Sequence, residues 1–318
     1  MRLVFMGTPE SAVPSLRRLL ADGHEVVAVW TQPDKPAGRG KKLHQSPVKE
    51  FALAHELTIH QPTKIKTPEA KELFTSQRAD AAIVVAYGRI LPPEFLEAQR
   101  LGCINVHFSL LPRYRGAAPV NWAIVNGEKE TGVTTMRIVS ELDAGPILLE
   151  NATQIGDGET APELMRRLAE TGAELLSTTL KGIDHIELKP QAKESATFAP
   201  ILKRDDGLID WRLDALAIER RVRGLQPWPN AHTTLRSRRL IIWKASAESL
   251  PQTSDQPGRI IEAHADRLLV ACGAATALRI GELQPEHSRR MGARDFLNGA
   301  HLEAGESLGN LNDASDVR

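Results

Sequence analysis

Apolar residues in the first half of the chain fall into short runs separated by amphipathic stretches. Residues 2–6 form a compact apolar run that breaks at Gly7-Thr-Pro9. Residues 25–30, 81–86 and 103–107 are further runs of this kind, and 81–86 is apolar at every position. A strand covered on both faces has that pattern. Between the runs, residues 11–20, 48–56 and 68–77 carry helix-like spacing. Pro14 is tolerated early in the first of these, because a first helical turn needs no amide donors. The alternation predicts a Rossmann-like α/β domain, a mostly parallel sheet with helices on both faces. Downstream, 118–126 reads as a helix, 133–139 and 147–150 as strands, and 160–180 as a long helix. Thr160 and Glu163 stand at the spacing of a capping box at its start.

The pattern changes near residue 185. Residues 186–203 hold few large apolar side chains and read as a linker. Short strand-like segments follow at 208–211, 232–235, 240–244, 259–262, 268–271 and 277–280. One helix, 215–223, intervenes between Asp214 as N-cap and Gly224 as stop. Many short strands in about 100 residues predict a small C-terminal β-barrel, OB-like in type. The expected division is a catalytic domain at 1–185, a linker at 186–203, a barrel at 204–303 and a flexible polar tail at 304–318.

Charge and cysteine content narrow the classes. The chain has 318 residues with 40 basic and 40 acidic side chains, so contact with nucleic acid must come from local patches. The two cysteines, Cys103 and Cys272, form no CxxC pair and suggest neither a disulfide framework nor a zinc site. The first apolar run is too short for a signal peptide, and no stretch approaches the ~20 apolar residues of a membrane span. A cytoplasmic enzyme without a metal is the expectation. A monomer is expected as well, since no heptad or long apolar face is visible.

The densest chemistry lies in Cys103-Ile-Asn-Val-His-Phe-Ser-Leu-Leu-Pro-Arg-Tyr-Arg-Gly116. Asn105 and His107 are two apart and share a face of a strand. They stand at its C-terminal end, where open α/β sheets bind ligands. Leu142-Asp-Ala-Gly145 then sets a carboxylate in a turn between strands. An amide that donates to a developing oxyanion, an imidazole and a carboxylate suit acyl transfer. A dinucleotide enzyme would need GxGxxG after the first strand, and this turn has only Gly7.

The string Asn-x-His-x-Ser-Leu-Leu-Pro, then Arg-Gly, then Leu-Asp-x-Gly resembles the signature of the folate-dependent formyltransferases. The resemblance covers about residues 1–300. It implies that Asn105, His107 and Asp143 are catalytic and that 10-formyltetrahydrofolate is the formyl donor. It also implies a folate site lined by Ser109, Leu110, Leu111 and Pro112, with the pterin near Val85, Tyr87, Gly88 and Leu142. Phe108 and Arg89 depart from the residue types expected at those places.

Two features choose a branch of that family. Residues 33–50 hold five basic residues and two acidic ones in a Gly/Pro-rich loop. Its segment Pro33-Asp-Lys-Pro-Ala-Gly-Arg-Gly-Lys-Lys42 resembles the loop with which methionyl-tRNA formyltransferases enter the tRNA acceptor stem. The resemblance assigns tRNA contact to Arg39, Lys41 and Lys42. Residues 220–244 carry Arg220, Arg221, Arg223, Arg236, Arg238, Arg239 and Lys244 with no acid among them. A phosphate-facing surface is expected there, with Arg220, Arg223, Arg236 and Arg238 as contacts. The implied acceptor is methionyl initiator tRNA. A sugar-nucleotide amine formyltransferase stays open as an alternative, as does an RNA-binding module with an inactive catalytic domain.

Overall fold

The computed structural model describes residues 1–37, 42–249 and 256–309; for Ala37 and Lys42 it describes the backbone alone. The chain divides into two compact units. The first comprises residues 1–119, 130–154 and 164–200, and the second 120–129, 155–163 and 201 onward.

The first unit is built on a seven-stranded sheet. Its strands are β1 (Arg2–Gly7), β2 (Glu25–Trp30), β5 (Ile59–His60), β6 (Ala81–Val85), β7 (Cys103–His107), β9 (Glu130–Arg137) and β10 (Ile147–Gln154), in the order β10-β9-β7-β6-β1-β2-β5. The small hairpin β3 (Lys35–Ala37) and β4 (Lys42–His44) stands apart, as does the pair β8 (Arg115–Gly116) and β11 (Phe198–Ala199). The pairs β1–β2, β2–β5, β1–β6 and β6–β7 are parallel, whereas β7–β9 and β9–β10 are antiparallel. The chain first builds outward from β1 through β2 and β5, then returns to build the other way through β6 and β7. Ligands bind such sheets at the carboxyl ends of strands where the order reverses. Every residue of β6 is buried, in keeping with its unbroken apolar run.

The helices are α1 (Val13–Ala21), α2 (Pro47–Ala54), α3 (Pro68–Ser76) and α4 (Pro93–Leu96) in the first unit, α5 (Pro119–Val125), which from Val120 on belongs to the second, and α6 (Ala161–Gly182), which from Leu164 on belongs to the first. Local chemistry sets their starts. The Ser46 hydroxyl accepts from the Lys49 amide at 3.1 Å and Thr67 accepts from Ala70 at 3.3 Å, each ahead of a proline in the first turn. At α6 Glu163 reaches back to both the amide (2.9 Å) and the hydroxyl (2.6 Å) of Thr160. One apolar cluster joins Val4, Met6, Trp30, Phe74, Tyr87 and Phe95. Phe74 and Phe95 stack there at 3.8 Å between ring centroids.

The second unit carries an antiparallel sheet of β12 (His232–Leu235), β13 (Arg238–Ser249), β16 (Thr276–Pro285), β15 (Arg267–Cys272) and β14 (Ile260–His264), with β17 (Met291–Gly292) on β16. Helices α7 (Ala215–Gly224) and α8 (Ala293–Ala300) share its core, through Ala215, Ile218, Val222 and Phe296 packed with Leu240, Ile242, Leu278 and Ile280. Asp214 caps α7 by accepting from the Ala217 amide at 2.8 Å.

Several elements differ from expectation. Residues 208–211 form only a bridge from Leu208 to His232. Helix α8 was not foreseen, although Ala293, Phe296, Leu297 and Ala300, which pack with the core, stand at i, i+3, i+4 and i+7. Residues 186–203 are not a free linker, since Thr197 to Ala199 hydrogen-bond along the 112–118 segment. Residues 304–309, expected to fray, bond to the sheet through Gly305 to Ile260, Leu308 to Gly258 and Gly309 to Thr234. The side chain of Leu308 is 3% exposed in the core. The remainder of the expected tail, 310–318, lies outside the described residues.

Candidate active site

Strand β7 places Asn105 and His107 on one face, as a period of two requires. Asn105 is half-exposed, and among the described residues its amide has no side-chain hydrogen bond. His107 is 6% exposed, and its Nε2 lies 3.0 Å from the Tyr114 carbonyl. Its Nδ1 faces Asp143 Oδ2 at 3.7 Å, a charge-pairing distance rather than a hydrogen bond. The Asp143 carboxylate is itself held, accepting from the Gly116 amide at 2.8 Å. The structure therefore brings His107 and Asp143 together and leaves the Asn105 amide available to a ligand.

The loop after β7 is pinned through Thr134 on β9. The Thr134 hydroxyl donates to the Ser109 carbonyl at 2.7 Å and accepts from the Leu111 amide at 3.1 Å. Ser109 Oγ donates to the Arg113 carbonyl at 2.7 Å. Leu111 is buried with Met136 and Ile147, while Leu110 and Pro112 are half-exposed. Of the expected pterin neighbours, Gly88 is exposed and Leu142 is 57% exposed. Val85 and Tyr87 are buried. The Tyr87 side chain belongs to the Trp30 cluster, and burial pushes its hydroxyl up to about 12. What Tyr87 presents at the turn is its carbonyl, which accepts from Thr8 Oγ1 at 3.2 Å and Gln32 Nε2 at 3.0 Å. Gly7 is required at the facing turn, because a Cβ there would meet Phe5, Ala12 and the Val85 carbonyl at 2.8–3.0 Å.

The basic loop has an ordered root. Asp34 accepts from Lys49 Nζ at 2.6 Å and from Gln61 Nε2 at 2.9 Å, and these two partners hold its carboxyl below the usual range. Lys42 stands on β4, while Arg39 and Lys41 lie outside the described residues. In the second unit Arg238 is exposed and Arg220 half-exposed. Arg223 instead pairs with Glu219 and donates to the Glu159 carbonyl at 2.8 Å. Arg236 pairs with Glu306 at 2.9 Å. A cavity of about 350 Å³ on the same unit is lined by Lys244, Arg279 and Arg294 together with Asp266.

Sequence reasoning quoted Arg115 only as part of the Arg-Gly of the signature, with no role, and missed Gln191. Arg115 is 3% exposed, and its Nε and Nη2 donate to Gln191 Oε1 at 3.0 and 2.8 Å. Gln191 sits in the stretch expected to be a linker, where nothing in spacing or composition marked it. Both cysteines are buried, and burial pushes each thiol up to about 12. Among the described residues no group of three or more His, Cys, Asp or Glu gathers that could hold a metal ion.

Comparison with known proteins agrees with this layout. Residues 1–180 match the formyl transferase family, and residues 201–301 match the formyl transferase C-terminal domain. The methionyl-tRNA formyltransferase of Solibacter usitatus is 49% identical over 311 residues, covering 97% of this chain and 99% of that one. The chain belongs to the methionyl-tRNA formyltransferase family. The enzyme of that name from Methylococcus capsulatus is likewise 49% identical, over 97% of this chain and 100% of its own. Two solved structures share the fold at 18% identity. One is the N-formyltransferase from Helicobacter canadensis in complex with folinic acid and dTDP-3-aminofucose, with a TM-score of 0.65 over 87% of this chain and 98% of that one. The other is the methionyl-tRNA formyltransferase from Clostridium thermocellum, with a TM-score of 0.55 over 77% of this chain and 93% of that one.

Proposed function

We propose that this chain transfers the formyl group of 10-formyltetrahydrofolate to the α-amino group of methionyl initiator tRNA. The carrying observation is that 97% of the chain, both units included, aligns at 49% identity with methionyl-tRNA formyltransferases. A sugar-nucleotide acceptor has only a fold likeness at 18% identity behind it.

The residues supply a mechanism. Attack of the amine nitrogen on the formyl carbon forms the new C–N bond and moves negative charge onto the formyl oxygen. Donors for that oxygen are the Asn105 amide and the His107 Nε2–H, which exchanges the Tyr114 carbonyl for it, in a setting where such donors are worth far more than in water. Asp143, beside the His107 ring, orients it and takes the proton that the amine loses. Asp143 passes that proton to the carrier nitrogen as its bond to the formyl carbon breaks, which releases tetrahydrofolate and restores the carboxylate. No metal enters these steps. The folate would lie along Ser109, Leu110, Leu111 and Pro112, with its pterin at the backbone of Val85, Tyr87 and Gly88 and beside Leu142.

The tRNA would be held by Arg39, Lys41 and Lys42 of the basic loop and by the second unit. There Arg220 and Arg238 carry the attraction, since Arg223 and Arg236 already face carboxylates. No helix among the described residues is long and apolar enough to cross a membrane. We place the protein in the cytoplasm as a monomer, with residues 1–185 as the catalytic part and 204–303 as the tRNA-binding part.

One assay tests the reading. The purified chain is mixed with 10-formyltetrahydrofolate and labelled methionyl initiator tRNA, with methionyl elongator tRNA in a parallel tube. Formylation of the initiator alone is expected. Formylation of neither, with folate still bound, would move the acceptor to another amine.

A further inference from the structure

The carboxamide of Gln191 lies between the turn that carries Asp143 and the segment that carries the His107 acceptor. Its Nε2 donates to the carbonyls of Asp143 at 2.8 Å and Gly145 at 2.7 Å. Its Oε1 accepts from Arg115 Nε at 3.0 Å and Nη2 at 2.8 Å. Both amide hydrogens and both oxygen lone pairs are thereby engaged. The orientation of the amide follows from its partners. Turned over, it would set its oxygen against two carbonyls and its NH₂ against two guanidinium donors.

Asp143 needs such support. Its φ is 47°, the left-handed region, where a non-glycine residue carries strain, though Asp less than most. Gln191 holds its carbonyl and the Gly116 amide holds its carboxylate. Both restraints converge on one segment, because Arg115 and Gly116 are adjacent and pair with Phe198 and Ala199. Tyr114, whose carbonyl faces His107 Nε2, is tied to the same strap through its amide to Thr197 Oγ1 at 2.9 Å.

We propose that Gln191 is a positioning residue for formyl transfer, acting through Asp143 by fixing the backbone from which that carboxylate reaches His107. The proposal rests on the reading of Asp143 and His107 as catalytic residues. Gln191→Glu keeps the shape of the side chain but replaces the two N–H donors with an oxygen facing two carbonyls. Misplacing a catalytic group by about 1 Å can cost ~100-fold in rate. Accordingly kcat is expected to fall about 10- to 100-fold, with KM for folate and for methionyl-tRNA each kept within about twofold.

The decisive experiment is a double-mutant cycle with Asp143→Asn, with rates taken per folded protein by circular dichroism. If Gln191 acts through Asp143, the double variant turns over at the rate of Asp143→Asn alone, within about twofold. A slow Asp143→Asn whose loss multiplies with that of Gln191→Glu would overturn the positioning role and leave the catalytic reading intact. An unchanged kcat in Gln191→Glu would overturn it equally. Full turnover in Asp143→Asn would instead remove the catalytic reading, and the positioning role with it. If Gln191→Glu does not fold, Gln191→Met, which removes the amide without adding charge, goes through the same cycle.

Discussion

His107 Nδ1 stands 3.7 Å from Asp143 Oδ2, with the ring 6% and the carboxylate 16% exposed. Each group is held by a bond of its own, His107 at the Tyr114 carbonyl and Asp143 at the Gly116 amide, and the half-exposed Asn105 amide lies on the same face of β7 as His107. Removal of one oxyanion donor typically costs ~2.7–4 kcal/mol of barrier. Asn105→Ala and His107→Ala are each expected to lower kcat at least ~100-fold at saturating folate and tRNA. Near-normal turnover in either variant would remove that residue from the mechanism.

Arg39→Ala addresses the acceptor rather than the donor. Loss of one specific nucleic-acid contact costs on the order of 1–3 kcal/mol. KM for methionyl-tRNA is expected to rise by about tenfold or more, with KM for folate unchanged. Steady-state kinetics with each substrate varied in turn separates the two. An equal loss of folate affinity would place the loop at the donor site.

Thr134→Val keeps the volume and removes the hydroxyl that joins the Ser109 carbonyl to the Leu111 amide. Leaving a buried polar group unsatisfied costs about 1–3 kcal/mol. The variant should unfold at lower urea concentration. Because the tethered loop is the proposed folate wall, its folate KM should also rise, which tryptophan-fluorescence titration with folate can check independently of turnover.

Gly116→Ala should be worse than an ordinary glycine substitution. Gly116 has φ 127°, and a Cβ there would sit 2.5 Å from the Ala199 carbonyl oxygen. Gly158 is the comparison, with φ 78° and nothing within 4 Å of a Cβ. Backbone strain alone costs about 1–3 kcal/mol at either position. Only Gly116→Ala adds a backbone collision and moves the amide that holds Asp143. A fall in melting temperature is expected for both, and a fall in kcat for Gly116→Ala alone.

Leu308→Ala tests whether 304–309 belongs to the second unit. A buried leucine truncated to alanine costs about 2–5 kcal/mol. A loss of that size in a urea melt is expected. A change below about 0.5 kcal/mol, the range of surface substitutions, would show that the segment is only laid on the sheet.

What could be read from the chain alone was local. The unbroken apolar run at β6, the Asp214 cap of α7 and the shared face of Asn105 and His107 all follow from strand period, helix capping and side-chain chemistry within a few residues. Even there the readings had limits. The resemblance placed Tyr87 beside the folate, yet its ring turns inward to the Trp30 cluster.

The tertiary structure decided which distant polar groups meet. Asp143 could be named from its turn, but its distance to His107 depends on how the β9–β10 connection folds back onto Gly116. Gln191 looks like an ordinary surface residue in sequence, and Arg115 carries no sign of its partner, because a polar side chain in a short irregular segment leaves no periodic trace. The burial of Arg115 and its bonds to Gln191 exist only once residues 186–200 lie against the loop after β7. Residues 304–309 repeat the lesson: one leucine, the Arg236–Glu306 pair and a few backbone hydrogen bonds anchor them, and none of these leaves a periodic signature. Periodicity and capping are short-range and are written in neighbouring residues. The network that holds Asp143 joins residues far apart in the chain, so only the folded chain defines it.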